Sequence, residues 1–223
     1  MIPIAHLECD LSEKFGVPRQ SGLVAVPGRI IFEPPYRVAE AVRGLEDYDY
    51  LWLLWHFDRN AEADWHPTVR PPRLGGNQRM GVFATRSPFR PNPIGLSSVR
   101  LERVEITHNL GPVLHITGAD LADGTPIYDI KPYLPYTDSH PDARSGFAPT
   151  GADRQLEVVC KRSVRQDLLT PAQWDTLRQI LAHDPRPRYQ DDPERSYTLS
   201  FGGQEITFRV EENKLTITGI RKS

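Results

Sequence analysis

The chain has 223 residues and a formal charge of −2 at pH 7, with 39% hydrophobic and 25% charged residues, the profile of an ordinary soluble protein with enough length to bury a proper core. No apolar run approaches the roughly 20 residues of a membrane helix, and the start, MIPIAHLECDLSEKFG, lacks the basic-then-apolar layout of a secretory signal. Cys9 and Cys160 make no metal-type spacing, so a cytoplasmic protein without a membrane partner is expected.

The 21 prolines disfavour long helices and favour short strands joined by fixed turns. Up to about Tyr136 the β-like runs are GLVAVPGRIIF, YDYLWLLWHF, MGVFAT, GLSSVRLERVEIT, VLHITGADL and PIYDIKPYL, parted by Gly, Pro and Asn turns. That spacing predicts one β-rich barrel or sandwich. One helix is predicted in PPYRVAEAVRGLEDY, which opens with Pro and sets Val38, Ala41, Val42 and Leu45 on one face. SHPDARSGFAPTGADR reads as a linker. Beyond it, TPAQWDTLRQILAHDP has a Thr cap, Pro at the first helical position and Trp174, Leu177, Ile180 and Leu181 at helical spacing. SYTLSFGGQEITFRVEENKLTITGI then reads as three strands with hairpin turns at Gly202-Gly203 and Glu212-Asn213. The expected class is therefore mainly β, an N-terminal barrel followed by a small α+β unit.

From His66 to Leu101 there is no acid but six arginines, Arg70, Arg73, Arg79, Arg86, Arg90 and Arg100, whereas Glu40 to Asp64 is acid-rich. Guanidinium forks hold phosphates or carboxylates; pairing with the acidic stretch is the alternative. Within the basic segment, RSPFRPNP sets Arg86, Arg90 and Asn92 among Pro88, Pro91 and Pro93. Proline fixes φ and biases its predecessor toward extended backbone, so such a loop loses little entropy when a ligand arrives. A second cluster, DLADGTPIYDIKPYLPYTD, alternates Asp129, Lys131 and Tyr133 along an apparent strand, which puts a carboxylate, an amine and a phenol on one face. These groups suit proton transfer or the orientation of a nucleophile, and they equally suit a solvated strand face. There is no G-x-G-x-x-G, P-loop, H-E-x-x-H or G-x-S-x-G, and the seven histidines are scattered, so no metal site is expected.

RMGVFATRSPFRPNPIGLS, with EKFGVPRQSGLV, RPPRLGG and DGTPIYDIKPYLPY, closely resembles the TsaA-like family, specifically its bacterial TrmO-type tRNA (adenine-N6)-methyltransferases. The resemblance covers essentially the first 140 residues in order, and the C-terminal unit also looks like the one bacterial members carry. It implies a single-sheet, non-Rossmann barrel over 1–140 that binds S-adenosylmethionine, a linker over 141–152 and an α+β domain over 153–223. It implies methylation of the exocyclic nitrogen of threonylcarbamoyladenosine, the base 3′ of the anticodon in threonine tRNAs, by a homodimer. The resemblance also places the cofactor near Pro18, Arg19 and Gln20, beside Arg59 and Asn60, against Arg86 and Leu96, and along Asp120, Leu121, Ala122 and Asp123. WHFDRNAEADW departs from the FHFN-like form of relatives, which leaves Arg59 and Asn60 the least secure of these. Arg86 or Arg19 would meet the cofactor's carboxylate, and Asp129, Lys131 or Tyr133 would assist proton removal at the acceptor.

Two other classes remain open: a tRNA- or nucleotide-binding module without chemistry, and a cofactor-dependent enzyme acting on a small metabolite. In the C-terminal unit Arg154, Lys161, Arg162, Arg165, Lys214, Arg221 and Lys222 could touch phosphates, or the unit could only cover the barrel or support a dimer. A barrel freed of residues 152–223 is expected to keep its cofactor.

Overall fold

The computed structural model describes residues 1–60, 64–74, 76–147, 155–186 and 192–223, without the side chains of Asn60 and Arg73. In chain order the strands and α-helices are β1 (Ala5–Cys9), β2 (Pro27–Phe32), β3 (Tyr50–His56), β4 (Thr68–Val69), β5 (Met80–Gly81), β6 (Ile94–Thr107), β7 (Gly111–Thr117), β8 (Pro126–Pro132), α1 (Pro135–Asp138), β9 (Glu157–Cys160), α2 (Pro171–Ala182), β10 (Tyr197–Phe201), β11 (Gln204–Glu211) and β12 (Lys214–Lys222). Six of them close an antiparallel barrel in the order β1-β2-β7-β6-β3-β8, and β4 pairs with β5 apart from it.

Alternation builds the barrel. In β3 and β6 every second residue turns inward, so Leu51, Leu53, Trp55, Val99 and Leu101 meet Leu7, Ile30, Leu114, Ile116 and Ile127 in the lumen. Each such side chain stabilises by roughly 1.5 to 3 kcal/mol on full burial. The first half of β6 pairs with β3 and the second half with β7, and a bulge between Leu101 and Arg103 lets the long strand bend from one to the other. Glycine is needed at position 95, where a Cβ would fall 2.2 Å from the Trp55 ring. The indole therefore lies flat across the neighbouring strand.

The second unit is a four-stranded sheet, β10-β11-β12-β9, with β9 parallel to β12 and α2 between β9 and β10 in sequence. α2 starts in a reciprocal capping box between Thr170 and Gln173, with Pro171 in its first turn, and buries Trp174, Leu177, Ile180 and Leu181 as its spacing predicts. Gly202, Gly203 and Glu212 take the positive φ that the two hairpin turns require.

Two expectations change, and one connection is shared between the units. The segment from Pro34 to Asp47 is not an α-helix but three separate 3-10 turns, Pro34–Tyr36, Ala39–Val42 and Leu45–Asp47. Extended backbone at Val38 and a left-handed Gly44 part them, and only Val42 of the apparent apolar face is buried. MGVFAT forms a strand only at Met80–Gly81; Val82–Ala84 turns as a 3-10 helix that buries Val82 and leaves Phe83 outside. Residues 10–26, which join β1 to β2, do not lie on the barrel alone. Leu11, Val24 and Val26 belong to the same core as Leu177, Leu199, Phe208 and Ile217, with Phe15 and Val17 packed against it. A barrel without the second unit would leave these side chains bare.

Candidate active site

The RSPFRPNP loop leads into β6 and is pinned by its own polar groups. Arg90 Nη1 donates to the carbonyl of Thr85 at 2.9 Å and its guanidinium lies 5.9 Å from the Phe83 ring centroid, while the Thr85 hydroxyl accepts from the Ser87 backbone N–H. Arg79 donates to Thr68 and Arg100 pairs with Glu102, so these arginines take partners other than the acidic stretch. Arg86 reaches out of the loop and donates to Oε1 of Gln20.

Gln20 opens the rim of the barrel. Ser21 contributes a backbone hydrogen bond to the Asp120 carboxylate, and Gly22 N donates to Gly118 O at 2.8 Å. Asp120 is half-buried; burial pushes its carboxyl up, opposed by the Ser97 hydroxyl, its own backbone, the Arg86 guanidinium and Ser21. Ser97 sits at an inward position of β6, only 1% exposed, donates to Asp120 Oδ1 at 2.5 Å and accepts the Trp55 indole N–H at 2.9 Å. Gln20 with Arg86, and Asp120 with Ser97 and Trp55, thus form two hydrogen-bonded sets, brought together by the backbone bond from Ser21 and by the attraction between Arg86 and Asp120. Sequence reasoning missed Ser97 and Trp55. The available signal was a serine at an inward register of a strand whose neighbour carries a tryptophan with an N–H to satisfy.

A second set surrounds Asp123. Arg59 donates to Ser12 O and to Asp123 O, both at 2.8 Å, and Lys14 donates to Arg59 O at 2.9 Å. Asp123 Oδ1 accepts the Cys9 backbone N–H at 2.9 Å. Burial pushes the neighbouring Cys9 thiol up to about 11, which makes it a poor nucleophile. Asn60 lies in the 3-10 turn Asp58–Asn60. Leu121 is buried in the barrel core, and Ala122 beside it is also buried. Arg19 Nη2 points away from the barrel and donates to Asp184 O and Arg186 O, both at 3.0 Å. Pro18 and Arg19 line a groove between residues 14–24 and the end of α2.

The third set is on the outer wall. Across β6, β3 and β8, Leu96 faces Leu54 and Leu54 faces Asp129; the next row is Ser98, Trp52 and Lys131. At about 4.8 Å per strand, Leu96 and Asp129 stand about 10 Å apart on one face. Lys131 Nζ is 2.9 Å from Asp129 Oδ2, and the Tyr133 ring lies 5.5 Å from Trp52 and 6.2 Å from Tyr50. Trp52 is itself anchored by donation to Asp138 Oδ2 at 2.8 Å.

The chain matches the tRNA-methyltransferase O N-terminal domain over residues 6–139 and the TrmO C-terminal domain over residues 153–223. This chain belongs to the TrmO family. It is 48% identical to a tRNA (adenine(37)-N6)-methyltransferase of Escherichia coli strain K12, over 94% of this chain and 92% of that protein. A protein of the same description from Eikenella corrodens is 47% identical over 78% of this chain and 97% of its own length. The crystal structure of TrmO from Pseudomonas aeruginosa superposes with a TM-score of 0.77 at 33% identity, covering 98% of this chain and 97% of that one. A putative S-adenosylmethionine-dependent methyltransferase of Pseudomonas aeruginosa is 43% identical over 87% of this chain and 85% of its own length. Among the described residues, no helix is long and apolar enough to cross a membrane, and no group of three or more metal-type side chains stands together.

Proposed function

We propose that this chain is an S-adenosylmethionine-dependent tRNA (adenine(37)-N6)-methyltransferase whose acceptor is the exocyclic nitrogen of threonylcarbamoyladenosine in threonine tRNAs. The observation that carries the reading is the Arg86–Gln20–Asp120 rim, in a chain 48% identical to a methyltransferase of that name. A half-buried acid and a guanidinium that act on each other electrostatically at one rim fit a ligand that carries both an ammonium and a carboxylate. The exposed Leu96 fits its apolar parts.

The cofactor, when bound, supplies a methyl group on a positively charged sulfur. Arg86 then holds the carboxylate and Asp120 the ammonium or a ribose hydroxyl, while Ser97 and Trp55 fix the Asp120 carboxylate. Pro18, Gln20 and the backbone from Asp120 to Asp123 shape the rim, and Arg59 with Asn60 braces its far side. Methyl transfer removes a charge, so rigid positioning of donor and acceptor does most of the catalytic work.

The acceptor nitrogen is acyl-substituted, its lone pair is delocalised, and loss of its proton assists attack. Asp129, in the same outer-wall row as Leu96, is placed to accept that proton, with Lys131 2.9 Å from it and Tyr133 beside Trp52 to hold it and the base in place. Tyr50, Trp52 and Tyr133 offer rings on which splayed anticodon-loop bases stack.

The working division is a 1–140 catalytic unit, a 141–152 linker and a 153–223 unit; residues 148–154, including Arg154, lie outside the described residues. In the second unit Arg165 pairs with Asp167 and Arg221 with Glu205, which leaves Lys161, Arg162, Lys214 and Lys222 as the simplest phosphate contacts. A homodimer in the cytoplasm completes the proposal, and the exposed Phe83 and Trp65 favour such an interface. Labelled methyl from S-adenosylmethionine should enter bulk tRNA, and nucleoside mass spectrometry should find it on threonylcarbamoyladenosine. Label in a small metabolite, or binding of tRNA without transfer, would reject the assignment.

A further inference from the structure

The segment from Asp10 to Val26 carries Pro18, Arg19 and Gln20, yet much of it is mounted on the second unit. Gly202 N donates to Asp10 O at 2.9 Å and Ser200 N to Glu13 Oε1 at 2.9 Å. The Phe15 ring stacks with Phe208 at 6.3 Å, and a Cβ at Gly16 would fall 2.2 Å from Leu199. Arg19 continues this attachment, with one guanidinium nitrogen shared between the carbonyls of Asp184 and Arg186 just past the end of α2. Carbonyls at a helix C-terminus carry partial negative charge and favour such a cation.

The turn that offers these carbonyls is itself rigid. Arg186 is 7% exposed, and its Nε and Nη2 each lie 2.9 Å from a carboxylate oxygen of Asp184, with its guanidinium 5.9 Å from the Tyr197 ring centroid. Asp184 takes a left-handed φ of 49° to make the turn. On the other side of Arg19, Gln20 meets Arg86, Ser21 meets Asp120 and Gly22 meets Gly118. The loop from Arg19 to Gly22 is thus clamped between the barrel rim and the Asp184–Arg186 turn.

We infer that the Asp184–Arg186 turn is a positioning element of the cofactor site, and that Arg19 transmits its position to Gln20 and Ser21 rather than gripping the cofactor's carboxylate. This rests on the reading of the Arg86–Asp120 rim as the S-adenosylmethionine site. The second unit then completes the cofactor site from behind, whatever contact it makes with RNA.

A double-mutant cycle in the full-length protein tests this. Arg19→Met removes the donor, and Arg186→Met removes the clamp on the turn while touching nothing at the rim. S-adenosylmethionine affinity is read by calorimetric titration and tRNA affinity by filter binding, with thermal melts to confirm folding. Each single change should weaken S-adenosylmethionine by about tenfold, within the range of couplings in one hydrogen-bonded network. The double variant should be no weaker than the worse single one, and tRNA affinity should stay within about twofold of wild type, since only the cofactor loop is disturbed. Loss in Arg19→Met with wild-type binding in Arg186→Met would make Arg19 a direct ligand and overturn the inference, as would losses that multiply. If Arg186→Met fails to fold, Asp184→Asn replaces it in the cycle, because asparagine tolerates the left-handed backbone and keeps one acceptor oxygen while losing the charge. Failure of the wild-type protein itself to bind S-adenosylmethionine would remove the functional assignment and this inference with it.

Discussion

Ser97 gives its hydroxyl hydrogen to Asp120 while taking the indole N–H of Trp55, so a residue in the barrel wall fixes a carboxylate at the rim. Burial raises the Asp120 carboxyl above its ordinary value of 3.8. A carboxyl raised in this way binds more protons in the folded than in the unfolded chain. Its contribution to stability is full below the unfolded value and is lost as pH climbs through the folded one. Asp120→Asn should therefore shift the denaturant midpoint upward relative to wild type at pH 7, by a margin that narrows toward pH 3.8. The same change should weaken S-adenosylmethionine by about 1.5 to 3 kcal/mol, the scale of a hydrogen bond to a charged group. A stability margin independent of pH would show that Asp120 is not strained by burial.

Arg86→Ala should weaken S-adenosylmethionine by about 1.5 to 3 kcal/mol and leave the melting temperature nearly unchanged, because its partner Gln20 sits in an accessible loop and not in a core. Calorimetric titration with wild-type affinity would remove Arg86 from the site.

Gly95→Ala acts through packing. The new methyl collides with the Trp55 ring, whose displacement breaks the bond to Ser97. The expected cost is about 1 to 3 kcal/mol in chemical denaturation, typical of an overpacked core, accompanied by weaker cofactor binding. A variant with normal stability and binding would show that the indole can shift freely.

Replacing Pro91 and Pro93 together by alanine should lower the methyl-transfer rate more than stability. Pro93 is tied to the barrel through its carbonyl, which accepts from Phe57 N at 2.9 Å, and alanine keeps that carbonyl. What is lost is the preset shape of the loop that carries Arg86. Equal losses of rate and of denaturant midpoint would point to a merely structural turn.

The barrel was legible because β3 and β6 alternate cleanly, and α2 because Thr170 and Pro171 announce it. The region from Pro34 to Asp47 was not. Its apolar spacing imitates a helix, and only tertiary packing shows that Val42 alone is drawn inward. The site was legible in part. Arg86 and Gln20, 66 positions apart, meet in space as their shared assignment to one site requires. The carbonyl partners of Arg19 at Asp184 and Arg186 were not legible, because they lie 165 and 167 positions away and no local pattern announces them. Ser97 escaped notice as one serine of a strand, although its inward register already demanded a partner.

The interleaving of residues 10–26 with the second unit has a thermodynamic reading. Leu11, Val24 and Val26 are covalently part of the barrel's first hairpin but are solvated or buried according to whether α2 and β10 to β12 are folded. Neither core can melt without exposing apolar surface that the other depends on, so the free energy of partial unfolding should approach that of the whole. Scanning calorimetry of the intact chain should show a single transition with matching calorimetric and van't Hoff enthalpies, and amide exchange in the barrel and in the C-terminal sheet should be limited by the same opening event. Two resolved transitions would mean that the strap peels away at little cost. Fusion at the sequence boundary near residue 150 would then suffice to exchange one unit for another; with a single transition, any such exchange must carry residues 10–26 along with it.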